Sequence, residues 1–229
     1  ETATSITLRR EKGAAETILR NDIQEMTASS QSLMPDNMEA VISPPDLANV
    51  LAYLREAFGP APPSKVVLFD DEPSFVDSLT EGGGKASLAP DDAFSGKASL
   101  AVTPPQRYSG QIPGWRYRIA ESPGPGEFRY LRWAWKCRGG GGAMIELASS
   151  GAWPAPESPE RRYYSGKNTT AWKAREVSAD APAEWTVVVV DLWKDCGELI
   201  LTGIAPTAMG GEARFDRIEL SRTVEDGQP

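Results

Sequence analysis

The sequence predicts a mainly β protein: an antiparallel β-sandwich or jelly roll preceded by a β-hairpin and one amphipathic α-helix. Three observations predict it. Between residues 65 and 223, nine short strand-like runs alternate with Gly, Pro, Asn and Asp clusters, the texture of a sandwich. Residues 5–9 alternate on a two-residue period, with Ile6 and Leu8 on one side and Ser5, Thr7 and Arg9 on the other. Only residues 43–58 repeat apolar side chains convincingly at helical spacing.

The first strand is followed by Lys12-Gly13 and then by Glu16-Thr17-Ile18-Leu19, which completes a hairpin signal. Residues 27–42 show no clean period. Ser43 is a suitable N-cap, because its hydroxyl can accept from a free first-turn N–H. Pro44 fits the first helical position, where no N–H is needed. Asp46 places a carboxylate at the positive end of the helix. Leu47, Val50, Leu51, Leu54 and Phe58 form its apolar stripe, and Gly59 and Pro60 stop it. One hairpin and one helix bury little core alone, so this segment is expected to lean on something else.

Gly59-Pro60-Ala61-Pro62-Pro63-Ser64 reads as a stiff linker. The expected organisation is residues 1–60, a linker at 61–64, a sandwich over 65–223 and a tail at 224–229. The strand-like runs are 65–69, 85–89, 97–103, 115–119, 128–136, 143–148, 185–192, 199–205 and 214–221. Gly84-Lys85-Ala86-Ser87-Leu88-Ala89 recurs as Gly96-Lys97-Ala98-Ser99-Leu100-Ala101, which suggests two strands of one sheet. Alternation assigns faces: Leu131, Trp133 and Trp135 oppose Tyr130, Arg132 and Lys136, while Ile145 and Leu147 oppose Met144 and Glu146. Gly139-Gly140-Gly141-Gly142 joins two strands and lacks the Gly-Lys-Ser/Thr ending of a phosphate loop.

Composition excludes several kinds of chemistry. The 229 residues contain no histidine, so Ser-His-Asp, Cys-His and His-metal arrangements are absent. A complete c-type haem site is excluded too, because its CxxCH motif needs one. With 24 Lys+Arg against 32 Asp+Glu, the net charge is −8. That argues against nucleic acid or an anionic membrane as the main partner. The longest apolar run, Val50-Leu51-Ala52-Tyr53-Leu54, is too short for a membrane span. The chain starts at Glu1 without an initiator Met or signal peptide, and is expected to be a piece of something longer. Cys137 and Cys196 each end a strand-like run. They read equally well as a disulfide suited to an exported protein or as two free thiols.

Two stretches carry a family resemblance. Residues 1–58 resemble the C-terminal half of the c-type cytochrome domain in large planctomycete-type multidomain proteins. The matching residues are Glu1-Thr2-Ala3-Thr4-Ser5-Ile6-Thr7-Leu8-Arg9, Thr17-Ile18-Leu19-Arg20-Asn21-Asp22-Ile23, Ser32-Leu33-Met34-Pro35, Ser43-Pro44 with Asp46-Leu47-Ala48, and Leu51-Ala52-Tyr53-Leu54-Arg55. The resemblance implies an upstream haem-attachment half, which is not in this sequence. It makes Met34 the axial haem ligand of a longer parent protein, since a thioether suits electron-transfer haem. Haem c is thus expected only in that parent, along with redox partner proteins and a periplasmic or secreted location.

Residues 65–223 resemble galactose-binding-like β-sandwiches of the carbohydrate-binding-module type. The resemblance is carried by Leu68-Phe69-Asp70, Ser95-Gly96-Lys97-Ala98-Ser99-Leu100, Leu131-Arg132-Trp133-Ala134-Trp135-Lys136, Glu184-Trp185-Thr186 with Asp191-Leu192, and Phe215-Asp216-Arg217-Ile218. Many such modules hold a structural Ca²⁺, which would be met here by Asp70, Asp216 and a backbone oxygen of Lys97. Calcium takes six to eight oxygens from carboxylates and carbonyls. Asp70, Asp71 and Asp216 otherwise read as ordinary surface acids.

The same resemblance makes a polysaccharide or oligosaccharide the expected partner. Seven tryptophans are the loudest signal in the composition, and aromatic faces stack on the C–H faces of sugar rings. Trp115, Trp133, Trp135, Trp185 and Trp193 lie on or beside strand-like runs, where core positions are expected. Trp153, Tyr163, Tyr164 and Trp172 fall in a long loop, 149–176, and are better candidates for exposure. The expected sugar site comprises Arg132, Glu146, Tyr164 and Trp172, on the polar outer sheet face or under that loop. No spacing singles out Glu146, Glu176 or Asp191 as a hydrolytic pair. The expected function is therefore noncatalytic carbohydrate binding attached to the tail of an exported electron-transfer cytochrome domain. The alternative is a structural or protein-docking sandwich that binds no sugar.

Overall fold

Two long strands, each interrupted by glycines, organise the sandwich. A computed structural model describes residues 4–9, 15–26, 42–58 and 62–225. The chain divides into two compact units, Glu1–Gly59 and Pro60–Pro229. In the first, β1 (Ser5–Arg9) pairs antiparallel with β2 (Ala15–Leu19), and a 3₁₀ turn follows at Arg20–Asp22. Helix α1 runs Pro44–Phe58. Its start is capped as the sequence predicts: the Asp46 N–H donates to Ser43 Oγ at 3.3 Å, and Ser43 Oγ donates to Asp46 Oδ2 at 2.6 Å. Leu47, Val50, Leu51, Leu54 and Phe58 are all exposed. Met34 lies outside the described residues.

The second unit contains β3 (Lys65–Phe69), α2 (Pro73–Ser78), β4 (Ala86–Ala89), β5 (Ser99–Val102), β6 (Tyr117–Ile119) and β7 (Glu127–Phe128). These are followed by β8 (Tyr130–Ser149), β9 (Arg162–Gly166), β10 (Arg175–Ser178), β11 (Thr186–Asp191), α3 (Leu192–Cys196) and β12 (Leu199–Ser221). β8 and β12 pair antiparallel along nearly their whole lengths, from Leu201↔Ser149 to Ser221↔Tyr130. At mid-length Gly139, Gly140 and Gly141 take φ of 82°, 79° and 91°, Gly210 takes 89°, and the register slips between Gly210 and Glu212. L-residues with side chains rarely adopt such φ, so the glycines form a corner where the ribbon bends. What reads as a connection between two strands is thus the hinge inside one strand. The runs 199–205 and 214–221 are likewise the two halves of β12.

The ribbon doubles back so that both halves share one core. Leu131, Trp133, Trp135, Phe215 and Leu220 from one half join Ala143, Ile145, Leu147, Ile204 and Ala208 from the other. Across the core, the Trp133 and Tyr163 rings lie 5.7 Å apart. The first half is widened by β11 beside β8 and by β3 and β5 beside β12, with β4 beyond β5. The second half is widened by β9 and β10 on one side and by β6 on the other, with isolated bridges Gln106↔Thr207 and Ser109↔Ile204. Because the odd-numbered side chains of both β8 halves point inward, the even-numbered ones lie on two different outer faces.

Two expectations change at this level. The 149–176 segment is not structureless, since β9 and the start of β10 lie in it; and Tyr163, expected to be exposed, is 2% exposed and belongs to the core. Cys137 and Cys196 are free thiols, and burial pushes the Cys137 thiol up to about 11.

Candidate functional site

The outer face of the second half carries a groove. Its floor follows from register: Ala205, Glu146 and Arg162 lie side by side on β12, β8 and β9, and Thr207, Met144 and Tyr164 form the next row. Ala205, opposite Glu146, keeps the floor low. Two hollows open here, of about 160 and 350 Å³, and they share Gln106 and Trp172. The first is also lined by Tyr108, Glu146, Trp153, Pro154, Pro156, Arg162 and Ala205; the second takes in Thr207, Ala208 and Met209.

Two adjacent arginines build the Trp153 wall. Arg162 is 1% exposed. Its Nε donates to Glu146 Oε1 at 2.8 Å, and its Nη groups donate to the carbonyls of Pro154 (2.7 Å), Ala155 (2.8 Å) and Ser158 (2.9 Å). Arg161 donates to the carbonyl of Ala152 at 3.0 Å. The loop carrying Trp153 is therefore clamped to β8 and β9 through its own backbone. Trp153 meets Tyr108 edge to face at 5.5 Å, a favoured aromatic geometry.

Trp172 is fixed by a separate device. Asn168 Oδ1 accepts from the Thr170 N–H (2.9 Å) and hydroxyl (2.7 Å), and Asn168 Nδ2 donates to the Trp172 carbonyl at 3.0 Å. This Asx-type turn holds the indole 5.4 Å from the Arg162 guanidinium, a cation–π contact. The ring is half-buried and forms part of the lining of both hollows. Burial raises the Glu146 carboxyl above the usual carboxylate range, while the Arg162 charge opposes the rise.

The structure brings together Glu146 and Trp172 from the sequence-predicted set. Tyr164 is on the same face, one row along, where its hydroxyl donates to Glu176 Oε2 at 2.7 Å. Arg132 does not line this groove. It sits on the other outer face, 4% exposed, bound to Glu219 Oε1 at 3.4 Å and 5.8 Å from the Phe94 ring. Strand alternation had placed Arg132 beside Glu146, but the glycine corner turns their two half-strands apart. Sequence reasoning missed Tyr108 and Gln106 and did not single out Arg162. The adjacent arginines amid aromatics were the available signal for Arg162, and their buried pairing hid it.

Asp70 and Asp216 do come together. Asp216 is fully buried and accepts from the N–H groups of Phe94 (2.7 Å), Ser95 (3.1 Å) and Arg217 (2.7 Å). Burial first, and then the nearby Asp70 charge, raise its carboxyl to about 6. Arg217 donates to Asp70 Oδ2 at 2.8 Å, while Asp70 Oδ1 is buried with no hydrogen-bond partner. The Lys97 N–H goes to Asp71 Oδ1 at 2.8 Å. Among the described residues, no group of three or more His, Cys, Asp or Glu is arranged to hold a metal. The orphaned Asp70 oxygen fits an oxygen-seeking cation; Arg217 and the three amides already supply part of the charge balance such an ion would bring.

No protein-family model matches the chain, and no curated protein does. Among solved structures it is similar to a family 30 carbohydrate-binding module, at 12% identity and a TM-score of 0.40 over 69% of this chain and 87% of that one. It is also similar to a family 11 carbohydrate-binding module from Clostridium thermocellum solved with a β-1,3-1,4-mixed-linked tetrasaccharide, at 10% identity and a TM-score of 0.33 over 62% and 85%. A third likeness is to the glycoside hydrolase domain of Endo-D from Streptococcus pneumoniae R6, at 13% identity and a TM-score of 0.40 over 63% of this chain. The chain spans about a fifth, 21%, of that domain's length.

Proposed function

We propose that the sandwich is a noncatalytic carbohydrate-binding module and that its groove holds a polysaccharide or oligosaccharide. The observation that carries this reading is the half-buried Trp172, presented by its own turn above a floor that contains Glu146. Stacked aromatics with a few fixed polar groups are what sugar recognition requires. Glycoside hydrolysis uses two carboxyl groups flanking the scissile bond; among the described lining residues, the groove offers one, and Arg162 already grips it. The test is retention on affinity gels containing mixed-linkage β-glucan, xylan, galactan or mannan. The intact chain should be retarded by at least one, and Trp172→Ala should remove the retardation while leaving the melting temperature nearly unchanged. A Trp172→Ala protein that folds and binds as before would place the site elsewhere.

The reading extends to two further features. A structural Ca²⁺ would take carboxylate oxygens from Asp70 and Asp216 and a carbonyl from Lys97, supported by the orphaned Asp70 Oδ1. An ion bound only by the folded state stabilises it, so the melting temperature should fall with chelator and recover with calcium; no shift in either direction removes the ion. Residues 1–60 would be the tail of an electron-transfer cytochrome domain in an exported parent protein, periplasmic or secreted, with Met34 as its axial haem ligand and redox proteins as partners. The exposed stripe of α1 supports a missing neighbour. A parent chain extended upstream that fails to stain for covalent haem would overturn this part.

A further inference from the structure

This inference rests on the carbohydrate-binding reading and narrows it. Sugars carrying carboxylate or sulfate are held by cationic donors with free N–H groups. The lining of the two hollows contains one cation, Arg162, and its donors are committed. Nε and Nη2 reach Glu146 Oε1 at 2.8 and 2.7 Å, and the Nη groups hold the Pro154, Ala155 and Ser158 carbonyls. Four of these contacts are hydrogen bonds and the Nη2–Oε1 contact is an ion pair; together they face the five N–H donors of a guanidinium, and the side chain is 2% exposed. The lining of the second hollow contains no charged residue.

The groove's anion is differently placed. Both Arg162 contacts fall on Glu146 Oε1, and Oε2 has no hydrogen bond from a described residue. The other uncommitted groups are neutral. The Tyr108 hydroxyl is one; the Gln106 NH₂ is another, since the bond from the Thr207 hydroxyl at 2.9 Å goes to Gln106 Oε1. Lys173, just after Trp172, meets Glu157 at 3.2 Å on the exposed surface and lines neither hollow. A free carboxylate oxygen accepts from sugar hydroxyls and repels a second anion. We propose that the groove selects neutral, hydroxyl-rich glycans against uronate-bearing or sulfated ones, with Glu146 as the specificity-determining residue.

The test compares the intact chain on matched polymers at low salt: hydroxyethylcellulose against carboxymethylcellulose, xylan against glucuronoxylan, and galactan against polygalacturonate. The neutral member should bind about threefold more tightly, because the Arg162 charge 2.7 Å from Glu146 Oε1 cancels much, not all, of the carboxylate's repulsion. The gap should shrink as salt screens the repulsion. Glu146→Gln should shrink it as well. Because that variant disturbs the Arg162 pair, Gln106→Lys provides the second arm: it puts a cation on the lining and should narrow the gap, whereas the same charge change at the exposed Glu225 (Glu225→Gln) should not. Equal or tighter binding of acidic polymers overturns the selectivity and leaves the carbohydrate-binding reading intact. A gap insensitive to both salt and Gln106→Lys also overturns it. Failure on every polymer, neutral and acidic, overturns both.

Discussion

Arg162 does the most structural work of any residue in the groove. A buried charge is tolerated only when it is paired and hydrogen-bonded, and here one side chain satisfies a carboxylate and three backbone carbonyls. Removing it strands Glu146 and releases the Trp153 loop. Arg162→Met should therefore cost about 3–5 kcal/mol in urea unfolding. The double variant Arg162→Met/Glu146→Leu should recover part of that loss, because no unpaired charge is left behind. A single variant within about 0.5 kcal/mol of wild type, the range of an ordinary surface substitution, would show that the clamp does not matter. Arg162 was hard to read from sequence for the same reason. Between Arg161 and Tyr163 it looks like a solvated cation, and only the β8–β9 register reveals its partner. Trp172 and Glu146 were easier to read, one as an aromatic in a polar loop and the other as a carboxylate opposite two core residues.

At the scale of elements, the strand positions were largely legible because alternation and turn residues agree. β3, β4, β5 and β11 lie where the pattern places them. The corner was not legible. Four consecutive glycines mean a turn or a bend equally well, and only the pairing of Gly141 with Gly210 and of Gly142 with Met209 on β12 decides between them. That one ambiguity is why strand alternation puts Arg132 and Glu146 on one face while the structure puts them on two. Helix α3 also went unread, since five residues are too few to show a period. Its start depends on Asp191, which accepts from the Lys194 N–H at 3.0 Å and grips Arg129 through contacts of 3.0 and 2.6 Å. Burial pushes the Asp191 carboxyl up, but the Arg129 and Lys194 bonds outweigh it and hold it below its ordinary 3.8. The unfolded chain therefore binds this proton more readily than the folded one. The stabilisation is complete above about pH 4 and is lost as pH falls through the lowered folded value. Asp191→Asn should be less stable at neutral pH and show a shallower acid limb in a melting-temperature series. Parallel wild-type and variant curves from pH 6 down to 2 would contradict this.

At the scale of the molecule, the two outer faces of the sandwich differ in kind. One is crossed by the loop carrying Asp91 and Asp92, locked by Arg214 to Asp91 at 3.0 Å, Arg138 to Asp92 at 2.9 Å and the Trp185 N–H to Asp92 at 2.9 Å. Its charges are spent on each other. The other face keeps Trp153, Trp172 and Tyr108 around an open floor. The central claim is that the glycan sits on this face alone. The most direct measurement is hydrogen exchange of the intact chain with and without the polysaccharide that retards it most on the affinity gels. Protection should appear in residues 104–108, 152–158 and 168–173, and should be absent from 91–95 and 136–138. Protection centred on the Asp91–Asp92 loop, or spread evenly over both faces, would contradict the account.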